Sequence, residues 1–258
     1  MFVLTIAAAD CIAGQPQQTY KSKPLRDGFV LIGVDGRLIA SENGYWRFQF
    51  AIDVSDDKGR ITAGQSVRLL PCVTLEKMLA GGEANLPAAY RLWARVTAFE
   101  NENFMFPIYF LPLSETEPNQ PEQQKTVQIN VNEPNDAVVI PEDVVQMLKP
   151  RRIINLAQLE KGLTADEDSI LADRTGFIVK QQDTNTFSFK LDAMGQKLDN
   201  LSFRLLPCQT LEKAWTEQQQ SLDPSRYKAA GILTKFKGEY YLLLQRAVCT
   251  YSHDNFSR

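Results

Sequence analysis

From Tyr45 to Val54 the chain alternates: Trp46, Phe48, Phe50, Ile52 and Val54 are apolar, while Arg47, Gln49, Ala51 and Asp53 are polar or small. A period of two predicts a strand with five large side chains on one face. Upstream, Phe29 to Ala40 reads as a strand interrupted by the turn signal Asp35-Gly36, and Asn43-Gly44 marks a hairpin between the two runs. A polar turn, Ser55 to Gly59, precedes a third strand, Ser66 to Leu70, which Pro71 ends. Thr74 is placed to cap a short helix through Leu79, stopped at Gly81-Gly82. Tyr90 to Phe99 and Phe104 to Leu111 then form a hairpin around Glu100 to Asn103.

The same order recurs. Gly176 to Gln181, Thr186 to Asp192 and Leu201 to Leu206 read as strands, with Phe187, Phe189 and Leu191 facing inward. Thr210 opens a helix reaching about Gln220, and Lys228 to Phe236 and Tyr240 to Cys249 form a hairpin turning at Lys237-Gly238. Arg68-Leu69-Leu70-Pro71-Cys72-Val73-Thr74-Leu75-Glu76-Lys77 reappears as Arg204-Leu205-Leu206-Pro207-Cys208-Gln209-Thr210-Leu211-Glu212-Lys213, identical at nine of ten positions. An internal repeat is therefore the main organising fact. The motif reads as architecture: its leucines feed a core, its proline ends a strand, and its cysteine is a small plug beneath the helix. Arg68 and Arg204 point outward or pair with Glu76 and Glu212.

The chain divides into an apolar N-terminal segment with a polar lead (1–27), a first unit (28–113), a linker (114–167) and a second unit with a tail (168–258). The linker opens in a flexible stretch rich in Pro, Glu and Gln, from Glu115 to Gln124. An alternating run, Thr126 to Val131, follows as an edge strand. Two amphipathic helical stretches come next, one from Pro141 and one carrying Ile153, Ile154, Leu156 and Leu159. Met1 to Ala9 is apolar but far too short to span a bilayer. It resembles the hydrophobic core of a secretory signal peptide without its basic leader, so export to the periplasm or envelope is expected; a first strand in a cytoplasmic protein is the alternative.

Strand–strand–strand–helix–strand–strand has the element order of an OB-fold, the oligonucleotide/oligosaccharide-binding fold, in which a five-stranded Greek-key barrel carries its helix between strands three and four. The resemblance is strongest at Gly231-Ile232-Leu233-Thr234 and Gly238-Glu239-Tyr240-Tyr241-Leu242-Leu243-Leu244, which look like the closing hairpin of such a barrel. The expected fold is thus mainly β: two OB-like barrels joined by a partly helical linker. A small SH3-like barrel is the alternative. The overall pattern also resembles secreted bacterial proteins of no assigned role.

Composition narrows the function. The net charge of −3 and pI near 5.4 argue against a general polyanion binder. Four scattered cysteines make no disulfide scaffold. The one histidine, His253, lies in the C-terminal tail, and Gly81-Gly82 lacks the lysine of a phosphate loop. Asp56-Asp57 and Asp166-Glu167-Asp168 read as solvated turn or linker acids. Neither an enzyme nor a cofactor is expected. The leading expectation is a binding or scaffold protein for a protein or glycan partner, with Arg47, Gln49 and Arg95 as contact positions on the strands. The alternative is single-stranded nucleic acid at the second closing hairpin. The second unit has 12 basic and 10 acidic residues, against 5 and 10 in the linker. Lys235, Phe236, Lys237, Tyr241 and Arg246 are its candidate site, combining the cations and rings that such ligands need.

Overall fold

The computed structural model describes residues 23–41, 44–80, 89–113, 153–154, 167–181, 186–192, 202–221 and 224–250. In the first unit, β1 (Val30–Ala40), β2 (Trp46–Phe50), β5 (Ser66–Leu69), β7 (Glu102–Leu113) and β6 (Ala89–Phe99) pair in that order and close into a barrel. All neighbours are antiparallel except β5 and β7, which run parallel. Helix α1 (Val73–Met78) lies between the third and fourth barrel strands in chain order. β3 (Val54–Ser55) and β4 (Arg60–Ile61) form a two-stranded ribbon outside the ring.

The second unit repeats this circuit. β9 (Ser169–Lys180), β10 (Phe187–Leu191), β11 (Ser202–Leu205), β13 (Glu239–Thr250) and β12 (Arg226–Phe236) pair in turn, and β12 returns to β9. The third and fifth strands are again parallel. Helix α2 (Gln209–Gln220) occupies the place of α1. The molecule is mainly β, and in each unit the helix follows the third ring strand, the element order expected from the sequence.

Each first strand runs through a glycine: Gly36, which the pattern presented as a break, and Gly176, which it presented as a strand start. Gly36 pairs with Phe50 on one side and Tyr90 on the other, and Gly176 likewise with Leu191 and Tyr227. A Cβ at Gly36 would lie 2.2 Å from the Gln49 carbonyl oxygen and 2.5 Å from the Phe48 ring, and one at Gly176 would lie 2.2 Å from the Lys190 oxygen. The strand therefore continues through Asp35-Gly36, because only glycine allows the backbone so close to its neighbour. β9 also begins at Ser169, well before the expected Gly176.

The predicted second strand is correct only as far as Phe50. Trp46, Phe48 and Phe50 are buried, but Ile52 is 53% exposed, since the chain leaves the sheet at Ala51. The cause is a tie across the loop: the Phe50 carbonyl accepts from the Gly64 amide, and Asp53 accepts from the Ala63 amide. Asp56 is buried rather than solvated. It accepts hydrogen bonds from the amides of Arg26, Lys58 and Gly59 and from the Arg26 guanidinium. Burial opposes its charge, but these donors outweigh it and hold the carboxyl below the ordinary carboxylate range.

The motif packs as expected in its apolar positions: Leu69, Leu70, Cys72 and Leu75, with Leu205, Leu206, Cys208 and Leu211, are all buried. The caps differ from expectation. Cys72 and Cys208, both fully extended, occupy the N-cap positions in place of the threonines, and the Cys72 sulfur accepts from the Leu75 amide at 3.4 Å. Thr74 instead donates to the Ile108 carbonyl. Each thiol also reaches a carbonyl of its fifth strand, Pro107 or Leu244. Burial pushes the Cys208 thiol up to about 12 and raises that of Cys72 further, so neither is a nucleophile.

Of the linker, Ile153–Ile154 is described as β8. It is a strand parallel to β9 rather than part of a helix. It covers the edge of β9 that β10 does not reach, pairing with Ile170 and Leu171. The rest of the predicted linker helices, the strand at Thr126 to Val131, Met1 to Ala9, Gly81-Gly82 and His253 lie outside the described residues. No helix among the described residues is long and apolar enough to cross a membrane.

Candidate functional site

Of the five residues singled out in the second closing hairpin, Lys235, Phe236, Lys237 and Tyr241 lie together at its turn end, while Arg246 does not. Lys237 and Gly238 form the tight turn, both at positive φ, 49° and 83°. The Lys237 ammonium lies 5.5 Å from the Phe236 ring centre and that of Lys235 lies 6.0 Å from Tyr240. Phe236, Tyr240 and Tyr241 are half-buried and packed against the core, so their faces are largely spent on the barrel itself. Tyr241 donates its hydroxyl to Glu239, which also pairs with Arg204 at 2.9 Å. Burial, and then the Glu239 carboxylate, raise the Tyr241 hydroxyl pKa. Arg246 is five residues further along β13, about 17 Å at strand spacing, and is paired with Asp173. Lys228 reaches the same aspartate at 3.8 Å. Such exposed pairs contribute about 1 kcal/mol or less to stability. They neutralise Arg246 and Lys228, whereas Lys235 and Lys237 form no ion pair among the described residues.

The face that β2 and β5 form in the first barrel is different. β2 and β5 pair with Arg47 directly opposite Arg68. The Arg47 guanidinium is fixed by two bonds to Ser66, Nε to the hydroxyl at 2.9 Å and Nη2 to the carbonyl at 2.6 Å. Arg68 lies over the Tyr45 ring, 3.3 Å from its centre, and is 6.0 Å from the Phe104 ring. Its Nε is buried with no hydrogen-bond partner among the described residues. Tyr45 is 47% exposed, and Gln49 is held beside the arginines through the Gly64 carbonyl. Among the described residues no carboxylate forms an ion pair with Arg47 or Arg68. The expected pairings of the motif arginines with Glu76 and Glu212 are thus absent: Arg68 stacks on a ring and Arg204 pairs with Glu239.

Two like charges directly opposite on neighbouring strands are destabilising. The second barrel shows that the fold does not need them, because Ser188 stands opposite Arg204 there and Glu239 neutralises the arginine. Alternation had already placed Arg47 and Gln49 outward. It did not bring in Tyr45, which the same pattern counted as the start of the strand, nor did it separate Arg68 from its carboxylate.

Arg95, the third expected contact position, lies on β6 opposite Val30. It is separated from the arginine pair by β1, so it belongs to another part of the barrel surface. Its neighbour Arg91 is neutralised by Asp35, to which it donates two hydrogen bonds.

No protein-family model and no curated protein matches this chain. Among solved structures, a deletion mutant of the single-stranded DNA binding protein from Thermus aquaticus is aligned over 88% of this chain and 96% of its own. The two are 10% identical and the TM-score is 0.21, too low to establish a common arrangement.

Proposed function

We propose that this chain is a binding protein without catalytic chemistry, and that the β2–β5 face of its first barrel holds a single-stranded nucleic acid. The carrying observation is the unneutralised cross-strand pair of Arg47 and Arg68 beside the exposed ring of Tyr45. A phosphate bridging the guanidiniums would relieve their repulsion, and guanidinium is well matched to phosphate oxygens. Tyr45 offers a face on which an unpaired base can stack, in the place Arg68 occupies now or on the opposite side. The second and third strands are also the face with which OB barrels bind oligonucleotides, which is support by analogy of fold. An overall charge of −3 does not oppose this reading, since the positive site is local and within a Debye length of about 8 Å.

The test is fluorescence anisotropy of the whole chain with labelled single-stranded DNA and RNA over a salt series. Binding should weaken steeply with salt. Tyr45→Ala should reduce affinity about tenfold, the scale of one lost stack. Arg47→Gln should lower the salt slope by about 0.7, the share of one phosphate on a single strand. Absence of binding at low salt would end the proposal. Equal binding to a sulfated glycan, unchanged by Tyr45→Ala, would assign the face to an acidic glycan instead.

A further inference from the structure

The two barrels meet through a reciprocal exchange. Helix α1 packs on β12, the fourth barrel strand of the second unit, and α2 packs on β6, the fourth strand of the first. The Val73 amide at the start of α1 donates across the interface to the Thr234 hydroxyl at 3.0 Å, which donates in turn to Asp168 at 2.6 Å. The Gln209 amide at the start of α2 donates back to Asp27 at 3.1 Å, and the same oxygen accepts from Ala98 on β6 at 2.9 Å. Val73 and Gln209 are equivalent positions of the repeat, and Asp27 and Asp168 both lie just before a first strand. A further bond joins the Glu100 amide to the Glu212 carboxylate, and edge-to-face rings run from Phe99 through Phe187 to Trp215.

The same patch, helix start plus fourth strand, is used by both partners, each contacting the other's. That is the logic of an isologous interface, in which a surface is complementary to itself. We propose that this surface is a pairing site for a second copy of the same unit, filled within the chain by the other half of the repeat, and that it holds the barrels together without help from the linker. The near-identity of the motif follows from this double duty. Its leucines and cysteine fill the barrel, while its first helical amide must reach the neighbour. The one position that differs, Val73 against Gln209, is used across the interface through its backbone, which any side chain supplies.

The test inserts a protease site between Glu115 and Gln124 of the whole chain and cuts the folded protein. At micromolar concentration the halves should stay together as a one-to-one complex by native mass spectrometry. Asp27→Ala with Thr234→Val removes the receiving oxygens and should weaken the complex at least tenfold, with the circular dichroism of the uncut chain unchanged. Should that variant not fold, Glu212→Ala, which removes the oxygen that accepts from the Glu100 amide, should still give a measurable loss. Separation of the wild-type halves on cutting, or an unaltered dissociation constant in the variants, would overturn the proposal.

Discussion

Asp56 shows how much one carboxylate can organise. It accepts from the Lys58 and Gly59 amides of its own turn and ties down Arg26, thirty residues earlier in the chain. Replacing it by alanine leaves several amides unpaired and should cost about 2 kcal/mol at neutral pH, the scale of hydrogen bonds to a charged group. Because its pKa is lowered by folding, its stabilisation is complete above the ordinary aspartate value of about 3.9 and is lost as pH falls through the lowered value. Denaturant melts of wild type and Asp56→Ala should therefore differ at pH 7 and converge only as the pH is taken below the ordinary aspartate range and through the lowered value. A constant gap would mean that the bonds do not depend on ionisation. The pair Asp56-Asp57 looked like an ordinary polar turn, since no local signal distinguishes an acid whose donors come from elsewhere in the chain.

Element against element, the repeat supplies its own controls. Tyr90 and Tyr227 are equivalent and both fully buried. The Tyr227 hydroxyl donates to the Ala214 carbonyl of α2, whereas that of Tyr90 has no partner among the described residues, although α1 reaches Met78, the counterpart of Ala214. Tyr227→Phe should cost about 1 kcal/mol and Tyr90→Phe about nothing or a slight gain, since an unmatched buried hydroxyl is itself unfavourable. Equal losses in chemical denaturation would show that Tyr90 finds a partner in solution. The existence and order of the elements were legible in alternation and turn dipeptides. What escaped was the role of each first-strand glycine. Glycine within an apolar run signals a turn or a close approach equally well, and the nearby Phe48 and Phe189 rings that decide the matter are only in contact once the barrel closes.

For the molecule as a whole, two cores joined by a shared interface should behave as one cooperative body. Calorimetry of the intact chain should give a single transition. The variant lacking the Asp27 and Thr234 oxygens should resolve into two. Two transitions in the wild type would mean that the interface is weaker than the barrels it joins. None of this interface was legible in the sequence, although the motif that builds it was its clearest feature. An amide pointing across to another unit leaves no side-chain signature. The candidate site was half legible for the opposite reason: parity along β2 exposes Arg47 and Gln49, but whether Arg68 meets a carboxylate depends on the fifth strand.

The bonds between barrels connect residues 161 and 182 positions apart. During synthesis the first barrel is complete at Leu113, yet its partner is not finished until Thr250. At ribosomal rates that is a wait of roughly 10–30 s, during which a finished pairing surface faces its neighbours on the same messenger. Crowded polysomes would thus favour reciprocal exchange of halves between adjacent nascent chains, and sparse translation would favour the closed monomer. The spacing of ribosomes, a property of the message, would then influence the assembly state of the protein.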